Sequence, residues 1–390
     1  MNATAFGAPR VATPIFADRA AAYIAAHAFD RPTLVVSRDR VAMQYEQLQS
    51  GLGRAAIHYA VRANPAPEVI ETLVSMGAGF EVMSRRDIEL CLSRGADPDT
   101  MCFGNTLKCA SDIAFAYAAG IRLFAADCSD ELHKIAVHAP GVRVLVQVLV
   151  ENPMADMPPS RSFGCRPSDV PELMDIARDL GLVTYGLSFL GGSQIRDSAD
   201  WYPVLDQIVP VWHAVREAGH DVQLLNIGGG FPAFYGKSIR SPRAYAADVM
   251  AAVEARFADV AQIMATPGRA LVAEAGHIVA EVVTVCRKSE NDLHRWVGLN
   301  IGHSSGLAET DGEAIRYPLV TDHDGTDTGP CVLSGPTSEA SDVMYQKRPV
   351  KLPLGLARGD RVVIRNAGAY TVNTSWAGSD FIPPLDVIVI

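Results

Sequence analysis

Eight short apolar segments, at 57–61, 79–83, 101–103, 122–126, 142–150, 184–189, 222–227 and 262–265, recur along the chain with helix-like stretches between them. The intervening stretches lie at 65–76, 84–95, 110–119, from Ser129 onward, and at 169–180, 200–218 and 242–257. Pro67 suits a first helical turn and Gly77 a helix exit, while Ser84 reads as an N-cap with Asp87 three residues on and Gly95 as the stop. Strands alternating with single helices imply right-handed βαβ units and a parallel sheet, and eight such units close into a (β/α)8 TIM-type barrel. A helical stretch at 18–28 and a strand at 33–37 come first. Beyond Gly276 the texture changes to short β-type runs at 278–285, 332–333, 350–352, 361–364 and 387–390, broken by Gly, Pro and Asp. That is the pattern of an all-β C-terminal domain, whose sheet the strand at 33–37 is free to join. The resulting division is an N-terminal segment at 1–32 packing with the β domain, a barrel at 33–275 and a β domain at 276–390.

Composition removes several classes of function. With 390 residues, 48% hydrophobic and 20% charged, the chain can bury two cores. Its formal charge of -10 and the lack of a basic run with interleaved aromatics argue against nucleic acid as a partner. No apolar stretch reaches the roughly 18 residues of a membrane span. Residues 1–10 lack the basic-then-apolar build of a secretory signal, so a cytoplasmic location is expected. The seven cysteines are scattered and contain no C-x-x-C pair, which points to neither a disulfide framework nor a zinc site. Asp322-His323-Asp324 falls in a Gly/Asp/Thr-rich loop and reads as a solvated turn, so no metal site is expected.

The chemistry gathers at the late strands. Leu225-Asn226-Ile227 runs into Gly228-Gly229-Gly230-Phe231-Pro232, and glycines after a buried strand let the backbone fold back and present amide donors to an anion. A tight turn alone would also use such a triplet. Two further features accompany it, however: Ser188-Phe189-Leu190-Gly191-Gly192-Ser193 before it and Thr266-Pro267-Gly268-Arg269 after it, the latter offering a guanidinium for a phosphate.

Taken in order, Tyr59-Ala60-Val61 with Ala63-Asn64, Gly77-Ala78-Gly79-Phe80-Glu81, Phe163-Gly164, Ser188-Phe189, Gly228 to Pro232, Pro267-Gly268-Arg269, Gly335-Pro336-Thr337 and Gly368-Ala369-Tyr370-Thr371 resemble the ornithine/diaminopimelate/arginine decarboxylase family. The resemblance implies an alanine-racemase-like barrel plus β domain, a homodimer with its active sites at the interface, and pyridoxal phosphate used to decarboxylate basic amino acids. It assigns cofactor-phosphate contacts to Ser193, Gly228, Gly229, Gly230, Arg269 and Tyr370, each of which holds the residue expected there.

The departures concern the chemical end. Where the family has its Schiff-base lysine, this chain has Arg62, a guanidinium that stays protonated and cannot attack an aldehyde. Thr266 replaces the carboxylate that keeps the pyridine nitrogen protonated, and Gln147 stands at the position of that carboxylate's arginine partner. Leu190 replaces the histidine that stacks on the cofactor ring, Ser338 the cysteine that reaches across the dimer, and Ile301 an aspartate in an Asn-Asp-Gly run. Glu339 and Asp342 keep acidic character where the family meets the substrate amine.

Three readings are compatible with this pattern. The first is an enzyme acting on a small amino-acid-derived substrate without a Schiff base, with Arg62 clamping a carboxylate and Ser338, Glu339 and Asp342 supplying acid/base or amine contacts. The second is a non-catalytic regulator of the antizyme-inhibitor kind. The third is non-covalent retention of pyridoxal phosphate or another phosphate ligand. Ordinary pyridoxal-phosphate decarboxylation would require another lysine, for which Lys108 and Lys237 are nearest to strand ends.

Overall fold

β1 (Thr33–Val36) precedes eight strands that close into a barrel: β2 (Ala56–Ala60), β3 (Gly79–Val82), β4 (Met101–Phe103), β5 (Leu123–Ala126), β6 (Arg143–Val148), β7 (Val183–Phe189), β8 (Leu224–Asn226) and β9 (Gln262–Ala265). All pairings around the ring are parallel, and β9 returns to β2 through Ala56↔Met264 and Ile57↔Ala265. The (β/α)8 architecture expected from the alternation is therefore present. The computed structural model describes residues 18–374 and 384–390; the stretch 1–10, read above for a secretory signal, lies outside them.

Strand periodicity decides where the barrel can hold a ligand. Side chains alternate between the lumen and the surrounding helices, so inward positions recur every second residue. Cys102, Leu123, Leu145, Leu224 and Met264 form a small apolar cluster of their own, separate from the large core that includes the helix-facing side chains. This cluster plugs the lumen. Two residues further along the same strands stand Gly104, Ala125, Gln147, Asn226 and Thr266, and all five border an open pocket. The lumen thus changes from apolar to polar within one inward layer, at the C-terminal end of the barrel.

The helix Arg38–Leu52, which the sequence reading passed over, fills the gap in the outer ring between β1 and β2 and packs on the helix Pro242–Glu254. Ser37 caps it, accepting from the Arg40 amide at 3.4 Å. The expected cap at Ser84 is formed, with its hydroxyl accepting from Asp87 N at 3.2 Å, while the Asp87 carboxylate accepts from Met83 N at 2.9 Å.

The remaining strands are β10 (Gly276–Cys286), β11 (Arg295–Leu299), β12 (Leu319–Thr321), β13 (Thr328–Ser334), β14 (Val343–Met344), β15 (Val350–Pro353), β16 (Arg361–Ile364) and β17 (Asp386–Val389). With β1 they make a nine-stranded sheet. β1 was grouped with the barrel by the 33–275 division, but it pairs antiparallel with β10 and parallel with β17, so it belongs to the sheet. A turn of the β domain docks on the first barrel loop: Asn64 Nδ2 donates to Gly368 O at 2.8 Å and Tyr370 N to Ala63 O at 2.7 Å. This contact carries the Tyr370 ring to the mouth of the barrel.

Candidate functional site

The pocket above the apolar plug is bordered by Arg62, Gln147, Leu190, Ser193, Gly228, Gly229, Gly230, Thr266, Arg269 and Tyr370, so the barrel brings together every site position expected from strand ends. Ile301, Ser338, Glu339 and Asp342 do not border it. Ile301 is fully buried in the hydrophobic core. Asp342 is also buried, and it accepts from Thr337 N at 3.0 Å and Thr337 Oγ1 at 2.7 Å, closing the turn between β13 and β14. Within this chain it closes a turn through one oxygen, while its Oδ1 is buried without a partner among the described residues. Ser338 and Glu339 stand exposed on that same turn.

Arg62 sits in the single 3-10 turn Val61–Ala63 that follows β2, with its carbonyl accepting from Asn373 Nδ2 at 2.6 Å. Its guanidinium borders the pocket and is still reached by solvent, although protein surrounds it on most sides. Burial works against its charge, but Tyr370 and Glu81 outweigh that effect and hold it protonated above its ordinary range. Glu81, on β3, lines the same pocket and is the nearer in effect of two carboxylates, with Asp87, whose charge Arg62 feels. Burial pushes the Glu81 carboxyl up, opposed by Arg62 and by a hydrogen bond from Thr266. Thr266, at the end of β9, thus serves a carboxylate on β3.

The three-glycine turn is built as a close approach. The Asn226 side chain accepts from Gly228 N at 2.9 Å and fixes the turn's entry. Gly228 has φ of +74°, and a Cβ there would lie 2.2 Å from the Phe189 carbonyl oxygen. The carbonyls of Gly228 and Gly230 accept from Thr266 N and Ile195 N, whereas the Gly229 and Gly230 amides have no protein acceptor among the described residues. The amide half of an anion cradle is therefore in place.

The guanidinium half is engaged elsewhere. Arg269 is buried, and both its terminal nitrogens donate to Glu309, Nη1 to Oε2 and Nη2 to Oε1, each at 2.5 Å. It also donates to Tyr235 Oη at 3.2 Å and Ser193 Oγ at 3.3 Å. In this structure the charge of this arginine, expected to meet a phosphate, is matched by a carboxylate.

None of the six lysines in the sequence borders the pocket. Lys108 is buried and fully used, donating to Asn105 O and Ala125 O at 2.6 Å and paired with Glu131 at 2.8 Å. Lys237 lines a different cleft, 3.8 Å from Asp156. Neither can serve as a surrogate nucleophile in this pocket. The covalent fit of pyridoxal phosphate therefore fails at its aldehyde end. Among the described residues no group of three His, Cys, Asp or Glu could hold a metal, and His323 is paired with Asp360 at 3.0 Å. All seven cysteines are free, and no helix of the described residues is long and apolar enough to cross a membrane.

Four residues at or behind the pocket escaped the sequence reading of the site: Glu81, Ser188, Asn226 and Glu309. Strand alternation carried the signal for the first three, since each lies one inward step beyond a lumen position. Ser188 Oγ is buried without a partner at the pocket floor. Glu309 offered no such signal, being 40 residues from Arg269 and in the other domain.

Residues 38–273 match the family model described as the pyridoxal-dependent decarboxylase, pyridoxal binding domain. The chain is 30% identical to the lysine/ornithine decarboxylase of Selenomonas ruminantium over 341 residues, covering 87% of this chain and 85% of that protein. It is 27% identical to antizyme inhibitor 2 of Xenopus laevis, covering 86% and 76%. Among solved structures, lysine/ornithine decarboxylase of Vibrio vulnificus complexed with cadaverine superposes with a TM-score of 0.83 at 29% identity, covering 95% of this chain and 97% of that one.

Proposed function

The chain belongs to the pyridoxal-dependent decarboxylase family, and we propose that it is a member which recognises a small amino acid through paired charges instead of a lysine Schiff base. The observation that carries this reading is Arg62 at the mouth of β2, with no lysine on the pocket wall. An α-amino acid carries a carboxylate and an ammonium on one carbon. Arg62 supplies a fork of donors for the first, and Glu81 beside it a buried acceptor for the second. Ser188 Oγ at the floor lacks a partner and is free to bond a bound polar group. Burial raises the Glu81 proton affinity, so the same carboxyl holds a proton more tightly than an exposed glutamate does. No step requires an internal amine.

The proposal includes a homodimer. Ser338 and Glu339 lie on an exposed turn away from this chain's pocket, so they can reach a pocket only across an interface between copies. Sedimentation velocity on the purified chain should give a mass of twice 41.8 kDa.

The central test is calorimetric titration with free basic amino acids, beginning with ornithine, lysine and arginine. Loss of a charge-assisted fork costs about 1.5 to 3 kcal/mol, so Arg62→Ala should weaken binding roughly ten- to hundredfold. Unchanged affinity in that variant would remove the reading. Borohydride reduction in the presence of pyridoxal phosphate, followed by intact mass, should leave the chain unmodified. The resemblance to an antizyme inhibitor favours a second reading, in which the fold serves as a regulator. That reading calls for a stable heteromer with a decarboxylase on co-purification and no amino-acid titration signal.

A further inference from the structure

We infer that Glu309 is the resident anion of the Arg269 cradle, so that the wild-type pocket excludes phosphate esters and admits only phosphate-free ligands. The inference deepens the amino-acid reading by naming what the ligand lacks, but it stands on a separate pair of residues.

The argument is one of charge and geometry. Arg269 is buried and Glu309 nearly so, with side chains 3% and 11% exposed. Two parallel donor bonds at 2.5 Å make the bidentate arrangement in which a guanidinium binds a carboxylate most tightly. No other cation within salt-bridge range of Glu309 is present among the described residues. The neighbouring phenols of Tyr235 and Tyr317 are held in their neutral form by burial. Arg269 and Glu309 therefore sum to zero charge. A phosphate ester near neutral pH brings a charge of about -1.5 to -2. Placed on the Gly229 and Gly230 amides, it would sit beside a carboxylate in a low-dielectric site whose own guanidinium is already neutralised. Arg62, the other guanidinium on this pocket wall, is taken up by the ligand's own carboxylate in the amino-acid reading. The backbone cradle has kept its shape while its charge has been cancelled from the β domain.

What remains free at the cradle fits an uncharged group. Arg269 Nε is buried without a partner, as is Ser188 Oγ, and both belong to residues on the pocket wall. These donors, with the two amides, can receive the neutral oxygen of an amide or hydroxyl at the far end of a ligand whose carboxylate and ammonium are held at Arg62 and Glu81.

The test compares wild type and Glu309→Gln in titrations with inorganic phosphate and with pyridoxal phosphate, using pyridoxal as the phosphate-free control. Glutamine preserves shape and removes the charge. Wild type should show no saturable binding of either phosphate compound at micromolar concentration, and Glu309→Gln should gain at least tenfold in affinity for both but not for pyridoxal. Adding Arg269→Met to that variant should abolish the gain. Tight wild-type binding of pyridoxal phosphate would overturn the inference even if Glu309→Gln failed to fold. An affinity left unchanged or weakened by Glu309→Gln would overturn it too, by making Glu309 a residue that merely positions Arg269. The amino-acid reading fails on different evidence, namely an unaltered ornithine titration in Arg62→Ala.

Discussion

At Arg62 and Glu81 two opposite charges share one rim of the barrel, and each changes what the other can do. Tyr370 and Glu81 together favour the charged guanidinium against its burial, and Arg62 limits how far burial can raise the Glu81 carboxyl. A carboxylate whose proton is held more tightly than usual ionises above the ordinary range of about 4.3. Capture of an ammonium by Glu81 should therefore strengthen as pH rises through that ionisation, while the Arg62 contact stays constant. Calorimetric titrations at increasing pH should show amino-acid affinity climbing in wild type and remaining flat in Glu81→Gln. A slope that survives the substitution would place the titrating group elsewhere. That an arginine and not an amine stands at the end of β2 could be read from the sequence, because it depends on residue identity at one position. The cancellation of Arg269 could not, since Glu309 approaches from a distant segment through packing that no local pattern encodes.

The barrel strands were legible because they are buried on both faces and read as continuous apolar runs bounded by turn residues. The helix Arg38–Leu52 was not. Its buried face is Val41, Gln44, Tyr45, Leu48 and Leu52, and Gln44 interrupts the apolar stripe with an amide whose Nε2 donates to Ala270 O at 3.1 Å. A helix whose core face carries its own polar anchor loses the periodic signal by which helices are found. The glycine turn after β8 is the opposite case, where sequence and structure impose the same constraint. Gly228 combines a left-handed φ of +74° with a carbonyl oxygen 2.2 Å from where a Cβ would stand. Gly228→Ala should therefore cost at least about 2 kcal/mol, through backbone strain plus displacement of the β7 end. Urea unfolding would measure it. A variant as stable as wild type would mean that the turn relaxes freely, and the cradle would then lose its claim to be preorganised.

Across the whole molecule, the two domains meet where barrel loops and the β sheet exchange hydrogen bonds, so the stability of either is felt at the pocket. One group in the barrel makes that stability sensitive to acid. His58 on β2 lies one inward step below Ala60, and a Cβ on Gly79 would meet its ring at 2.9 Å. Burial drives the His58 imidazole down to about 4, and its Nδ1 has no partner. Between about pH 6.5, where an unfolded histidine titrates, and about pH 4, the unfolded chain thus binds a proton that the folded chain refuses. The contribution is complete above the unfolded value and is lost as pH falls towards the folded one. By pH 4.5 the loss should amount to roughly 2 to 3 kcal/mol. His58→Gln leaves a neutral side chain in the same layer, so its unfolding free energy should fall less between pH 7 and pH 4.5 than that of wild type, by that same amount. Carboxylates elsewhere, such as Asp18 held low by His277 and Arg365 against the effect of its own burial, titrate in both proteins and cancel from the comparison. Parallel pH profiles for the two proteins would show that His58 takes up its proton without leaving the fold. The acid sensitivity of the barrel would then have to be sought at its carboxylates.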